Sequence, residues 1–437
     1  MLVRWKLWLP AAILLMALVG IAVACGGDDE EASPTPTGPT GSPSPLSGKL
    51  EIFSWWTTGG EAAGLQKLYQ LYPQQCAGDV QIVNSTVAGG GGDVARQVLS
   101  SRMQGGDPPG SFQIHMGHEL LDSWVASGDM ESLKFLFDQQ NWANVFPQGV
   151  LDIVSKDGQP YSVPVNIHRA NVLWYNKKTF TDAGLQPPKT FADFFTVADA
   201  LKAKGITPLA LGDKEAFASV QLLEVTLLGT LGPDAYKGLW TGKTAWGSSQ
   251  VTDALNTFKR MLSYTNSDHA SLTWDQANDM VIKGQAGMTI MGDWVDADNK
   301  AKGFTNSGWV PSPSTSGTYD ALSDTFGLPK DAPNRDAVIC WLKVVGSKAG
   351  QEAFNPLKGS ICARTDCNKS LFDPYLQSAM DDWSKDSIVP SLAHGAAASP
   401  AWAADISDAV TAFVASQDVG ALQGRLSTAC KDSGVCS

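Results

Sequence analysis

The sequence predicts an α/β fold of two lobes, and two observations support this prediction. The chain has 437 residues, 43% of them hydrophobic and 17% charged, which is more than one small domain needs to build a core. From Lys49 onward, short strand-like runs alternate with helix-like runs. Repeated strand–helix–strand units favour a parallel sheet, whose ligands bind beyond the carboxyl ends of the strands. The residues that follow each strand are therefore the candidates for a site.

The first part of this pattern has period-two runs typical of strands and period-3.6 runs typical of helices. The second helix is predicted to bury Val94, Val98 and Leu99, which recur on one helical face. The predicted strands span 50–54, 80–83 and 112–115, and the predicted helices span 62–71 and 93–103.

The alternation continues through the rest of the chain. Strands are predicted at 161–165 and 172–175, followed by a helix at 191–203 and mainly helical structure to about 284. Further strands are predicted at 286–291 and in the run ending at 326–329, before a helix that contains Cys340 and Trp341. Helices return after Asp373.

The N-terminus has the features of an export signal. Basic Arg4 and Lys6 precede an apolar run at 7–24 that ends in small residues before Cys25. An uncleaved segment of this length also fits a transmembrane anchor, which is the alternative. Residues 26–48 are rich in Gly, Ser, Pro, Thr and acidic residues, a composition that predicts a disordered tether.

The charge balance argues against nucleic acid as a partner. The chain has 32 basic and 44 acidic residues, a net charge of -12, which repels phosphate backbones. The chain also has 15 Trp, whose broad apolar faces suit sugar rings, although most of them are expected to form ordinary core.

Seven cysteines are consistent with an oxidising compartment. If Cys25 carries lipid, six remain. Cys362 with Cys367 and Cys430 with Cys436 each enclose a short loop, and both pairs are predicted to be disulfides. A zinc site at Cys362 and Cys367 is the competing idea. The remaining two, Cys76 and Cys340, are either a long-range pair or two buried thiols.

Several motifs resemble those of bacterial glucose-binding proteins, which are extracellular solute-binding proteins of ABC sugar importers in the maltose-binding-protein-like class. The motif Phe-Ser-Trp-Trp-Thr-Thr-Gly-Gly-Glu at 53–61 is fairly specific for the monosaccharide-binding branch, whereas Gly-Asp-Trp at 292–294 recurs among carbohydrate-binding relatives. The other matching runs lie at 87–92, 112–115, 164–168, 326–329 and 358–360. The residues 22–26 likewise resemble a bacterial lipoprotein cleavage box in which Cys25 is acylated.

The resemblance implies a type II periplasmic-binding-protein-like fold with discontinuous lobes joined by a hinge. The predicted organisation is a lipoprotein signal peptide at 1–25, a tether at 26–48, an N-terminal lobe at 49–160 and 325–372, and a C-terminal lobe at 161–324 and 373–437. The protein is expected on the extracellular face of the cytoplasmic membrane or in the periplasm, as a lipid-anchored monomer without a cofactor. Its expected partners are a monosaccharide and the membrane permease subunits of an importer.

The resemblance also implies a sugar site of aromatic plates with polar groups around the rim. From the residues alone, one of the adjacent tryptophans at 55 and 56 should be core, unless the following Gly-Gly turn lets both face a cleft. The residues implied as ligand contacts are Trp55, Trp56, Glu61, Gln113, His115, His168, Trp274, Trp294, Asp324, Lys358 and His394.

Two rival functions remain open at this stage. A secreted glycoside hydrolase needs paired carboxylates, for which Glu61 with Asp293 or Asp324 are candidates, although nothing in the sequence fixes their separation. A lipoprotein receptor for oligosaccharides or peptides is the second rival. Glucose, galactose and mannose differ by one hydroxyl and are not distinguished by the sequence.

Overall fold

The computed structural model describes residues 45–88 and 92–437. The predicted signal peptide, the lipidation site Cys25, most of the tether and residues 89–91 lie outside the described residues. Strand β1 begins at Leu46, where the Leu46 N–H donates to the Ala77 carbonyl over 3.1 Å. The end of the predicted tether, residues 46–48, is therefore wrong, because these residues pair with the neighbouring strand.

The strands are β1 (Leu46–Ser54), β2 (Gly78–Thr86), β3 (Ser111–His115), β4 (Ser155–Lys156), β5 (Gln159–Pro160), β6 (Ser162–Pro164), β7 (His168–Arg169), β8 (Val172–Asn176), β9 (Thr207–Ala210), β10 (Ala286–Ile290), β11 (Ser307–Pro311), β12 (Thr318–Leu322), β13 (Asp324–Gly327) and β14 (Ser387–Pro390).

The α-helices are α1 (Gly59–Gln75), α2 (Asp93–Gln104), α3 (Lys134–Gln140), α4 (Gln148–Ile153), α5 (Lys177–Ala183), α6 (Phe191–Ala203), α7 (Phe217–Trp240), α8 (Ser249–Leu262), α9 (Trp274–Ile282), α10 (Trp294–Ala301), α11 (Arg335–Gly346), α12 (Lys348–Lys358), α13 (Pro374–Trp383), α14 (Pro400–Ser416) and α15 (Val419–Asp432). None of the helices in the described residues is long and apolar enough to span a bilayer.

The fold is α/β with two lobes that are built on different sheets. The first lobe contains a five-stranded sheet of order β2-β1-β3-β13-β6. The second contains a four-stranded sheet of order β11-β8-β10-β9 and a three-stranded sheet of order β14-β12-β7. The chain changes sheets between Pro164 and His168 and again between Leu322 and Asp324. The lobes are therefore discontinuous in sequence, while the predicted lobe boundaries stay a prediction.

The prediction of parallel sheets is only half right. Strand β1 runs parallel to both β2 and β3, as strand–helix–strand connections require. Strand β13 returns from the other lobe and pairs antiparallel with β3 and β6. In the second lobe, β8 pairs antiparallel with both β10 and β11. Both lobes thus contain mixed pairings, because the chain re-enters each sheet from the opposite end.

Two local predictions are also wrong. The stretch at 207–210 was expected to be helical but forms β9, an edge strand that tolerates Pro208 because an edge residue can do without a ladder donor. On α2, Val94 and Val98 are 46% and 37% exposed. Leu99 is buried as predicted, and the other buried residue of this helix is Ala95.

Three disulfides join the six described cysteines. Cys362–Cys367 and Cys430–Cys436 confirm the two predicted short-loop pairs, and the first of these excludes the zinc alternative at the same cysteines. The third bridge, Cys76–Cys340, resolves the open alternative in favour of a long-range pair with a sequence separation of 264. It ties the end of α1 to α11, and both helices cover the first sheet.

Removing the long-range bridge is expected to cost more stability than removing a short one. In the chain-entropy account, a disulfide restricts the unfolded chain more strongly when it closes a longer loop, so Cys76→Ala/Cys340→Ala should lower the free energy of unfolding by about 3 to 5 kcal/mol. The matched control, Cys430→Ala/Cys436→Ala, removes a disulfide with a sequence separation of only 6. It should lower the free energy of unfolding by about 2 kcal/mol. Denaturant unfolding of both variants measures this; an equal loss in the two would contradict the entropic account.

Candidate functional site

A cavity of about 790 Å³ lies where the carboxyl ends of the first sheet face helices of the second lobe. This volume is in the range of small-molecule binding sites. All of the implied contact residues except Gln113 line the cavity. The ten that do so are Trp55, Trp56, Glu61, His115, His168, Trp274, Trp294, Asp324, Lys358 and His394.

Gln113 supports the site from behind the cavity surface. Its side chain is buried in β3, where Nε2 donates to Asp324 Oδ1 over 2.8 Å. Its Oε1 accepts from the Trp55 backbone N–H over 3.2 Å. Gln113 thus fixes the position of the Asp324 carboxylate relative to the Trp55 backbone. In the structure its amide bonds to these two residues and does not line the cavity.

The two adjacent tryptophans both line the cavity, yet one of them is also core. Trp56 is 1% exposed and packs on Phe354 and Phe326, with ring centroids 5.0 and 5.8 Å away. Trp55 is 8% exposed and meets the edge of His115 at 5.0 Å. The two readings of the pair are therefore both realised, because β1 ends at Ser54 and the pleat no longer forces strict alternation.

The second lobe supplies aromatic faces at the start of two helices. Trp274 begins α9, where a Thr273 and Gln276 capping box fixes the first turn. Trp294 begins α10, and its ring lies 6.5 Å from that of Trp274 and 5.4 Å from that of His168. A Cβ on Gly292 would lie 2.2 Å from the Trp294 ring, so only glycine lets the ring fold back here.

Asp324 is the polar centre of the site. It is 2% exposed at the first position of β13, and Oδ2 accepts from Asn166 Nδ2 over 2.8 Å. His168 Nε2 lies 3.4 Å from Oδ2, and His115 Nε2 lies 3.7 Å from Oδ1. Burial alone raises the pKa of this carboxyl, but the adjacent imidazole of His168 and the charge of Lys358 outweigh it and hold the pKa well below its usual range.

Lys358 provides a buried cation that interacts with the charge of Asp324. Its ammonium lies 2.9 Å from Glu61 Oε1, and it faces the rings of Trp56 and Trp294 at 5.5 and 5.8 Å from their centroids. Burial lowers the pKa of Lys358, but the carboxylates of Glu61 and Asp324 more than compensate, so the pKa is raised above its ordinary value. The lysine is therefore charged at neutral pH.

The histidines divide between two environments. His115 Nδ1 lies 2.9 Å from Glu119 Oε2, which belongs to a π-helical segment at Glu119–Val125. His394 contacts Ser391 Oγ over 2.9 Å, and its ring meets the edge of Trp294 at 5.2 Å. Burial and the nearby charge of His115 hold the pKa of His394 well below its usual value. His394 is therefore neutral in this arrangement.

Several residues that position the site were not among the predicted contacts. Asn166 both donates to Asp324 and accepts its backbone N–H, over 2.8 and 2.7 Å. Asn166 lies inside the Pro-Val-Asn-Ile-His motif, so the motif carried the signal. No sequence signal marked Glu119 and Phe217, because their position beside the site depends on how distant helices pack around the cavity.

The Cys362–Cys367 disulfide lies close to the site through its backbone. Ile361 pairs with Ile167 as an isolated bridge, with N···O distances of 2.8 and 3.0 Å. Ile167 immediately precedes His168. The disulfide loop is thus joined to the segment that presents His168, as well as following Lys358 in sequence.

Comparison with known proteins places the chain in a family. The model of the bacterial extracellular solute-binding protein family matches residues 58–352. This chain belongs to that family. An uncharacterized ABC transporter extracellular-binding protein of Pyrococcus horikoshii is 36% identical over 94% of this chain and 93% of its own length.

Further similarities agree with this assignment. A protein described as a probable sugar-binding periplasmic protein of Brucella suis is 32% identical over 83% of this chain and 87% of its own length. The solved structure of the bacterial solute receptor AcbH, described as having an exclusive preference for β-D-galactopyranose, superposes with a TM-score of 0.79. It covers 89% of this chain and 98% of its own at 19% identity. That identity shows the fold alone, which is the type II sugar-binding-protein fold that the resemblance implied.

Neutralising the central carboxylate should destabilise the protein in a pH-dependent way. Asp324→Asn leaves Lys358 and the histidines with one carboxylate fewer, so the free energy of unfolding at pH 7 should fall by about 3 kcal/mol. Because the folded-state pKa of Asp324 is depressed, its contribution is present above the unfolded pKa of about 3.9 and is lost as the pH falls below that value.

Denaturant unfolding from pH 7 down to pH 3 measures the difference between wild type and Asp324→Asn. The difference should shrink below about pH 4. Exposed Asp405 in α14 gives the matched control Asp405→Asn, which should match wild type throughout. A pH-independent difference for Asp324→Asn would show that lost packing, rather than charge, sets its cost.

Proposed function

We propose that the protein binds a monosaccharide, either glucose or its epimers galactose and mannose, and delivers it to an ABC importer by closing its two lobes. The supporting observation is the pairing of aromatic faces from both lobes with buried, already charged polar groups. A sugar ring has an apolar C–H face and a rim of hydroxyls. Aromatic plates fit the face, and Asp324 and Lys358 form charge-assisted hydrogen bonds with the rim.

The polar groups of the site converge at one point of the cavity, which favours a ligand of one sugar ring. His115 Nε2 and His168 Nε2 lie 3.7 and 3.4 Å from the Asp324 carboxylate, and such a compact polar cluster suits a single sugar ring. The cavity volume of about 790 Å³ also leaves room outside that point. An oligosaccharide is therefore the alternative, in which only the first ring reaches Asp324.

Catalysis is not part of the proposal. Of the carboxylates considered for a glycoside hydrolase, Asp293 lies behind His168 and is fully buried, and Glu61 is paired with Lys358. Asp324 has a depressed pKa, the opposite of what a general acid needs. The family relationship is to solute-binding proteins. Release of a chromophore from aryl glycosides at neutral pH would contradict this part.

Delivery requires membrane permease subunits as partners, and the family is extracellular. Attachment to the membrane through lipid on Cys25 and a monomeric state stay predictions. The proposal involves no cofactor, and the net charge of -12 argues against nucleic acid as a partner.

Calorimetric titration with glucose, galactose, mannose, xylose and maltose tests the function and the ligand size together. In the same titrations, Trp274→Ala should weaken the preferred sugar by about 1 to 2 kcal/mol, roughly 5- to 30-fold, because a stacking face is lost. Trp274 is partly exposed at a helix start, so the fold should survive. The control Trp383→Ala removes a partly buried tryptophan away from the cavity.

The titrations separate the outcomes clearly. Tight binding of a single hexose supports the proposal, and tighter binding of maltose than of glucose favours the oligosaccharide alternative. Equal affinities of Trp274→Ala and Trp383→Ala would remove the second-lobe aromatic face from the site. Heat release with none of these sugars would contradict the sugar function.

Lobe closure is tested at a point where the two lobes touch by backbone. The Glu119 N–H donates to the Gly395 carbonyl over 3.1 Å, and Gly395 has a φ of +70°. A Cβ at Gly395 would lie 2.9 Å from Glu119 Cβ. Gly395→Ala should therefore hold the lobes apart and lower sugar affinity by about tenfold or more, since closure contributes to binding.

Backbone strain at positive φ is controlled by Gly184→Ala. Gly184 also has a φ of +70°, but its Cβ would meet nothing within 4 Å. Both variants should lose similar thermal stability, while only Gly395→Ala should lose affinity. Equal affinities in the two variants would show that this contact is not part of closure.

A further inference from the structure

Asp293 is fully buried and does not line the cavity, but it contacts His168, which does. One oxygen, Oδ1, is hydrogen-bonded to His168 Nδ1, and the other, Oδ2, accepts the Arg169 backbone N–H over 2.9 Å. Both oxygens therefore serve β7. Because the carboxylate can only accept at these two contacts, His168 Nδ1 must carry its proton.

The other ring nitrogen of His168 has no hydrogen-bond partner among the described residues. This nitrogen, Nε2, is buried, and Asp324 Oδ2 lies 3.4 Å away outside hydrogen-bond geometry. A buried polar atom without a partner is costly. His168 and Asp324 are both among the residues that line the cavity. A ligand group that reaches both atoms would satisfy the nitrogen and complete the shell of the carboxylate.

We infer that Asp293 is a positioning residue that keeps His168 as the doubly protonated imidazolium, with Nε2–H directed at a ligand hydroxyl that in turn donates to Asp324. This inference rests on the proposed sugar-binding function. A hydroxyl is the one common sugar group that accepts and donates at once, as this pair of protein atoms requires. A carbonyl or ether oxygen would leave Asp324 without a new donor, so the pair selects a free hydroxyl over a substituted one.

The charges around the imidazole favour this protonation state. Asp293 lies on one side of the ring and Asp324 on the other, and both attract a proton. Lys358 repels the imidazolium, as do His115 and His394 when they are charged, and Glu61 partly neutralises Lys358. Burial lowers the pKa of His168 and the charge of Lys358 lowers it further, but the two carboxylates prevail and the pKa is raised.

The sign of the pH dependence follows from the donor role. Below the raised pKa, Nε2 carries a proton and the ligand hydroxyl can donate to Asp324. As the pH rises through that pKa, the proton on Nδ1 stays with Asp293, so Nε2 becomes an acceptor that faces the acceptor Oδ2. One hydroxyl proton cannot serve both. Affinity should therefore fall with rising pH, by about tenfold or more once His168 is neutral.

The test combines calorimetry of the preferred sugar from pH 5 to pH 9 with ¹⁵N NMR of histidine-labelled full-length protein. In wild type, both His168 nitrogens should be protonated at pH 6.5, and the affinity should fall only above that pH. Asp293→Asn removes one of the flanking charges, so the midpoint of the pH profile should move to lower pH. A merely structural loss would weaken binding equally at every pH.

Asp296→Asn is the matched control, because Asp296 lies in the first turn of α10, directly after the N-cap Asp293, pairs with Lys300 and does not line the cavity. Its pH profile should follow wild type. A neutral His168 at pH 6.5 in wild type, or an unchanged midpoint in Asp293→Asn, would overturn the inference. Absence of sugar binding at every pH would instead contradict the proposed function, and the NMR titration would still decide the protonation of His168.

Discussion

The arrangement of the site depends on one buried carboxylate. Asp324 is charged and nearly inaccessible, and a buried charge is tolerated only when its partners are all in place. Those partners come from distant parts of the chain: Gln113 from β3, Asn166 from the first crossing between the sheets, and Lys358 from the end of α12. A requirement of charge compensation thus fixes where four separate segments meet.

The same requirement explains why polar groups and aromatic rings alternate around the cavity. His115 contacts both the ring of Trp55 and the Glu119 carboxylate, and Lys358 contacts both the ring of Trp56 and the Glu61 carboxylate. The rings exclude water from the charges, and exclusion of water strengthens each hydrogen bond. A ligand that displaces the remaining water therefore enters a site whose polar groups are already oriented.

Much of this was readable from the sequence where the signal is local. Helix α6 begins and ends where predicted, because Thr190 and Asp193 cap each other. The short-loop disulfides follow from spacing, and ten of the eleven contact residues that the motifs imply line the cavity. The sequence did not predict strand β9, because a proline such as Pro208 normally argues against a strand and is tolerated mainly at a sheet edge. The buried face of α2 differs from the predicted one at Val94 and Val98, because apolar spacing alone does not show which residues of the helix reach the core.

What the sequence does not contain is the order of strands. The antiparallel return of β13 beside β3 brings Asp324 opposite His115 in register, and that pairing links residues far apart in the chain. For the same reason Gln113 was assigned to the ligand, although its amide serves Asp324. Asp293 was considered only as a catalytic carboxylate, since its contact with His168 joins α10 to a strand that precedes it by many elements.

The segments that pass between the sheets are hydrogen-bonded to one another. Ile167 in the first crossing pairs with Ile361, which lies in a third passage between β13 and β14, and the Asp324 N–H donates to Asn166 in the first crossing. Because these segments are bonded together, we expect them to form a single hinge in the proposed closure of the lobes. His168 and Asp324 lie beside this hinge and should move less than Trp274, which lies on a helix of the second lobe. We therefore expect an arriving ligand to be read first by charge and hydrogen bonding, and to be enclosed by aromatic surface afterwards.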